Sequence, residues 1–297
     1  MSEIQATKGR ALSTFAELFF DNPMMDEAKR ETRRMMRTSA TFGRGGLAVT
    51  LGIIVIVYLW LLVQTVLTHE DGTPFFIYVE LALVTLAMPG SIYAAISGER
   101  EKSTWDALVL TRLTPAQIVA GKLVWRLRLL IAIAVIMLIP VVLCRIGAHR
   151  YLASETGVIV SQVMIGLWGI MLSSFGLWVS SITKRSIATL SIIAVTITAL
   201  LLGLPVLYQM FASMNQAYPQ AYRSQGTEDP VFNLMMSVNP FTVLGEMLGF
   251  GSMGYNNSGP WRDPSGTTAC VVFAALTPMF IIASYRRLTK LGEPGIN

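Results

Sequence analysis

Apolar residues in this chain gather into long blocks instead of alternating with polar ones. Leu47–Leu67, Gly157–Ile182, Ser186–Phe211 and Gly266–Tyr285 contain no charge, and Phe75–Ser97 contains one, Glu80. Leu129–Cys144 is a shorter uncharged run that a helical pattern extends upstream. A bilayer core is crossed by about 20 apolar helical residues. Five blocks meet that length, and the sixth does when Arg128 and Arg145 reach the two interfaces. The pattern predicts an all-α, polytopic integral membrane protein with six transmembrane helices over residues 47–285.

Composition agrees: 53% of the 297 residues are hydrophobic and 14% charged, against about 25% charged in soluble domains. The net charge of +5 would suit nucleic acid, but its distribution points elsewhere. Met1–Gly46, Gly98–Arg128, Thr183–Arg185 and the tail 286–297 together hold nineteen Lys and Arg; the alternate loops hold four, Arg145, Arg150, Arg223 and Arg262. That is a positive-inside asymmetry. It predicts both termini in the cytoplasm, residence in the cytoplasmic (inner) membrane, a lipid bilayer as partner and no nucleic acid. Residues 1–46 are too charged for the apolar centre of a signal peptide, so none is expected. Cys144 and Cys270 match no metal or redox spacing, and both fall near the outer ends of spans, where an oxidised pair or two small buried side chains are the readings.

The first 46 residues carry a helix start at Asn22-Pro23. Met24, Ala28, Met35 and Ser39 follow on one face, with Arg30, Arg33, Arg34 and Arg37 on the other. Such a helix fits the headgroup layer; a solvated charged helix is the alternative. In the second span Pro89 removes a bond to the Thr85 carbonyl and predicts a kink, with the Thr85 hydroxyl a candidate to satisfy the freed oxygen. The fourth span carries the small-residue pairs Gly169/Ser173 and Gly176/Ser180, which let helices approach closely, within the chain or between subunits. Residues 212–265 form an external segment, and inside it Asn239-Pro240 starts a short helix with Phe241, Leu244 and Leu248 on one face.

The stretch "ISGEREKSTWDALVLTRLTPAQIVAGK", Ile96–Lys122, contains two capping boxes, Ser103 with Asp106 and Thr114 with Gln117. They predict a short helix over Thr104–Leu113 and a long one from Pro115 into the third span. Trp105, Leu108, Val109 and Leu113 share a face of the short helix. That face either fills a groove on a partner, with Trp105 as anchor, or packs on the chain's own helix ends and the headgroups.

This stretch resembles the cytoplasmic signature of ABC-2-type transporter permeases. Glu99, Arg100 and Glu101 match a Glu-Arg-Glu turn, Trp105–Leu110 a short acidic-apolar helix, and Ile118, Gly121 and Lys122 the entry to the third span. Ser103 stands where the family usually has Gly, and Asp106 where it often has Glu. Asn22-Pro23 with its arginines is similar to the family's N-terminal elbow helix, and "SVNPFTVLGEML" to its outer segment. The resemblance implies that residues 104–113 are a coupling helix docking on a separate ATP-binding cassette subunit. Glu99, Arg100, Glu101, Trp105, Asp106, Leu108 and Val109 would then be partner-binding. It also implies a second copy of this permease, or a related one, as partner.

No Gly-x-x-x-x-Gly-Lys-Ser/Thr occurs, so ATP and Mg are expected on the partner, with no cofactor, metal or enzyme activity on this chain. His69 and His149 are single loop residues. Glu80 is the one acid inside a span and a candidate for a translocation path, though it lies close enough to the outer end to reach the interface. Ser191, Thr196 and Thr198 could line a path or bond to backbone. Two functions fit: permease of an ABC-2-type exporter, or membrane anchor of an ABC-type cell-surface machine that moves no solute.

Overall fold

Among the described residues of the computed structural model, eight elements follow one another, all of them helical. The structure describes residues 72–105, 108, 110, 113–147, 154–204, 206–207, 210, 238–248 and 266–291, together with Leu59 and Val63. The elements are α1 (Thr73–Ile92), α2 (Ser97–Glu101), α3 (Pro115–Gly147), α4 (Glu155–Ile182), α5 (Ser186–Thr198), a π-turn (Ala199–Gly203), α6 (Pro240–Met247) and α7 (Gly266–Leu291). Among the described residues five stretches are long and apolar enough to cross a membrane: Thr73–Glu101, Pro115–Ile146, Glu155–Ile182, Ser186–Gly203 and Gly266–Leu291. No strand occurs among the described residues. Of the block Leu47–Leu67 only Leu59 and Val63 are described, both helical and exposed. The elbow helix with Arg30, Arg33, Arg34 and Arg37 lies outside the described residues, as do Asp106, Val109, both histidines and the rest of the external segment.

Helix α4 is the central post, packed along α7, α1 and α3. Its small residues explain how. A Cβ on Gly169 would lie 2.6 Å from Leu130 Cδ1 and 3.0 Å from Val84 Cγ1, and one on Gly176 would lie 2.4 Å from Ile92 Cγ2. The small-residue face is therefore filled by α1 and α3 of the same chain. Trp168, Phe76, Phe273, Leu81 and Met164 pack in the main core between these helices, with the Trp168 and Phe273 rings 5.0 Å apart. Buried polar groups are paired inside it, as a low-dielectric interior requires. Trp168 donates its indole N–H to the Thr85 hydroxyl (2.9 Å), which donates in turn to the Leu81 carbonyl (2.7 Å). The Thr85 proton is thus spent one turn below the carbonyl that Pro89 frees. The kink predicted at Pro89 corresponds to a helix that stays regular to Ile92 and breaks at residues 93–96.

At the opposite end, Asn239 does what its position before Pro240 predicts. Its Oδ1 accepts the Phe241 N–H at 3.0 Å. Its Nδ2 donates to the Leu201 carbonyl at 3.1 Å, tying α6 to the π-turn that follows α5. Val243, Leu244 and Leu248 are buried against the bundle, and Phe241 is half-buried beside Tyr78, its ring stacked at 6.4 Å. The short amphipathic helix is packed into the bundle end. Cys144 is buried and Cys270 half-buried, and no disulfide joins them.

Candidate functional site

The break in the first described span creates the site. Leaving α1, the chain turns through residues 93–96 and forms the five-residue helix α2. The backbone N–H groups of Ile96 and Ser97 would be orphans there. Both donate to the Ser180 hydroxyl, each at 3.0 Å. Ser180 is thus the small residue of α4 that caps a broken helix beside it.

Three consecutive residues of α2 then reach three different helices. Successive residues on a helix point about 100° apart, so a triplet cannot serve one partner surface but can serve three. Glu99 forms a salt bridge with Lys122 near the start of α3. Arg100 donates to the carbonyls of Ser181 (3.3 Å) and Thr183 (3.2 Å) at the C-terminus of α4. Glu101 accepts the Ser186 N–H (3.0 Å) and the Ser186 hydroxyl at the N-terminus of α5. The signs are those that helix ends favour: a cation on the exposed carbonyls of α4, an anion on the exposed N–H groups of α5. Helix α5 has no side-chain cap of its own, and Glu101 supplies it from another element.

Helix α2 ends in a Schellman motif. The Thr104 N–H bonds to the Glu99 carbonyl (2.9 Å) and the Ser103 N–H to the Arg100 carbonyl (3.2 Å). Ser103 has φ 55°, the left-handed conformation that such a C-terminal position demands. Ser103 therefore terminates α2 and does not cap the next helix. The first bond of that helix, from the Leu108 N–H, goes to the Thr104 carbonyl (3.2 Å), so the helix begins one residue later than the capping box predicts. A side chain in this conformation costs about 1 kcal/mol against Gly. Ser103→Gly is accordingly expected to raise the protein's stability by roughly 0.5–1 kcal/mol, read as a higher melting temperature in detergent. A lower melting temperature would contradict the motif. The second capping box is formed as predicted: the Thr114 N–H donates to Gln117 Oε1 (2.9 Å) and the Gln117 N–H to Thr114 Oγ1 (3.3 Å).

Trp105 and Leu108 are helical and turned inward, each 8% exposed. They belong to a second core with Ile92, Ala95, Ile96, Ile118, Val119, Leu123, Leu177 and Leu288, and half-buried Leu113 packs against it. Trp105, Leu108 and Leu113 of this face thus pack on the chain's own helix ends. Among the described residues of this segment, Leu110 is a large apolar side chain that faces outward, 86% exposed. Sequence reasoning placed Glu99, Arg100 and Glu101 toward a partner and missed their internal bonds. The signal available was the Glu-Arg-Glu alternation itself, with Lys122 on the neighbouring helix.

Toward the other end, Glu80 is turned into the bundle. It is 1% exposed, and its Oε2 accepts from Gln162 Nε2 of α4 at 2.8 Å. The hydroxyls of Ser191 and Thr196 on α5 bond to carbonyls four residues back.

A helical bundle with five stretches long and apolar enough to cross a bilayer, among the described residues, has the build of an integral membrane protein. The family described as ABC-2 family transporter protein matches residues 63–285. The chain belongs to that family, and is a membrane permease of an ABC transporter; the family implies association with an ATP-binding cassette subunit. A search of the curated proteins found no match.

Proposed function

We propose that this chain is the membrane-spanning subunit of an ABC-2-type exporter, with residues 104–113 as the segment that meets the cassette. The functional unit in this reading is two permease chains and two cassette chains. ATP and Mg are bound by the cassettes, and this chain is not itself an enzyme. It crosses the cytoplasmic membrane six times with both termini inside, the predicted first span being Leu47–Leu67, preceded by the elbow helix. The nineteen-to-four distribution of Lys and Arg supports that orientation.

The observation that carries the reading is the hub around α2. A displacement applied to the segment after Ser103 meets no loose joint. It passes through Glu99 to α3, through Arg100 to α4 and through Glu101 to α5. Force on one short segment would move several spans together, which is what a cassette closing on ATP has to achieve. The surface offered to the cassette is the outward side: exposed Lys102, Ser103, Thr104 and Leu110.

Leu110→Glu places a charge where an apolar contact is proposed, while touching nothing in the core. It is expected to weaken retention of the cassette in a pull-down by about tenfold, roughly 1.4 kcal/mol, at an unchanged melting temperature. The purified permease alone should turn over no ATP. Cassette capture at full strength by Leu110→Glu, or ATP turnover by the lone chain, would overturn the assignment.

A further inference from the structure

A groove runs between α4 and α7 at the end of the bundle that holds the hub. It is lined by Trp178 and Ile182 of α4 and by Pro278, Met279, Ile282, Ala283, Arg286, Arg287 and Lys290 of α7. Its long wall is apolar, and Met279 and Ile282 are about half exposed. Trp178 stands in an aromatic group with Phe175 and Phe280, its ring 5.6 Å from that of Phe280. All three cations lie at one end of the groove, one to three turns along α7 from the apolar wall, and all are exposed. Among the described residues no acidic one lines it. Among the described residues no carboxylate pairs with Arg286, Arg287 or Lys290, whereas the nearby Arg100 is spent on α4. Arg287 moreover lies close enough to Arg100 for the two like charges to repel. Two arginines and a lysine, unpaired among the described residues and beside a third arginine, favour an anion, and the apolar trough leading away from them suits a hydrocarbon chain.

We infer that this groove binds an anionic phospholipid of the cytoplasmic leaflet, its phosphate on Arg286, Arg287 and Lys290 and one acyl chain along Pro278–Ile282. Basic recesses between spans on the cytoplasmic side select acidic headgroups, and each cation near a membrane surface adds about fivefold to binding. Guanidinium forks suit a phosphate diester in particular. Pro278 stands at the apolar end of the trough, where it removes the helical bond to the Ala274 carbonyl. The bound lipid would sit beside the α2 hub, because α7 supplies both Leu288 to the hub's core and the cations to the groove. The inference takes its leaflet from the topology proposed above.

The test is native mass spectrometry of the full-length chain in mixed micelles with equal dioleoylphosphatidylglycerol and dioleoylphosphatidylcholine. The wild type should retain the anionic lipid with about tenfold preference or more. R286Q/R287Q/K290Q should bring that preference close to parity. Ala283→Trp, which fills the trough and leaves the charge alone, should reduce retention of both lipids. Lys184→Gln with Lys102→Gln, basic positions off the groove, should change neither. Equal retention of both lipids by the wild type would overturn the site, and so would a preference that survives both groove variants. Displacement of the lipid by glycerol 3-phosphate at equal concentration would assign the cations to a free phosphate compound instead. A wild-type dimer that the groove variants dissociate, with lipid counts unchanged, would assign the groove to a second copy of the chain. Impermeant thiol labelling of Lys290→Cys, on a cysteine-free background, tests the leaflet separately. Labelling from outside intact cells with lipid preference intact would keep the site and refute the topology.

Discussion

Trp105→Ala destabilises the protein strongly, by an expected 3 kcal/mol or more, because it empties space in a packed core. Trp105 is 8% exposed and touches the cluster built by Ile92, Ile96, Ile118, Leu123 and Leu177. Its removal would leave α1, α3 and α4 without the side chain that fills the gap between their ends. The melting temperature should fall by several degrees, and cassette capture should fall with it, since the segment that follows loses its base. Leu110 is the contrast: 86% exposed, it should affect capture and leave stability alone. The two variants therefore separate anchoring within the chain from docking on a partner. A Trp105→Ala protein that melts like the wild type would mean that the indole is not a core side chain at all.

The second large effect is expected at the ion pair. Lys122→Met should cost about 3 kcal/mol, because Glu99 then keeps a poorly hydrated carboxylate with its cation gone. The side chains of Lys122 and Glu99 are only 11% and 19% exposed. Removing both charges together, in Glu99→Met with Lys122→Met, should recover most of that loss, since the desolvation cost disappears along with the attraction. Function should not recover with it. If the hub transmits force, the double variant will be stable and will still bind the cassette, yet ATP turnover will no longer drive transport. A double variant as unstable as the single one would show that the pair is not isolated electrostatically, and full transport by the double variant would remove α3 from the transmission route. Reading melting temperature and coupled activity on the same samples distinguishes these outcomes.

Long-range contacts of this kind account for what could and could not be read from the chain. The caps at Thr114–Gln117 and Asn239–Phe241 appear in the structure as the sequence predicts, because a cap is made by residues two or three apart. The entry of the long helix at Pro115 follows from the same local chemistry. Ser103 was misassigned for a local reason too. A serine before a helix signals an N-cap, but here α2 ends at the same place, and its Schellman turn claims Ser103 first. The Gly at this position in the resembled family is what a left-handed residue would call for.

The sequence by itself determined the membrane class, the approximate course of the five described spans from Thr73 onward, the charge asymmetry and the helix starts at Pro115 and Pro240, since each depends on residues adjacent in the chain and on their solvent. Only the tertiary structure decided where side chains point once helices are packed. Glu80 lies near the end of its span, yet Gln162, 82 residues away, holds it inside. Ser180, a member of one of the two small-residue pairs on α4, became the cap of a helix 83 residues earlier. The Glu-Arg-Glu triplet, exposed by composition, was committed to α3, α4 and α5. Periodicity fixes which face of a helix a residue occupies, but not which neighbour that face meets. In a bundle where almost every face is apolar, the few charged and hydroxyl groups cannot remain unpaired in a low dielectric, and the nearest helix end decides their partner.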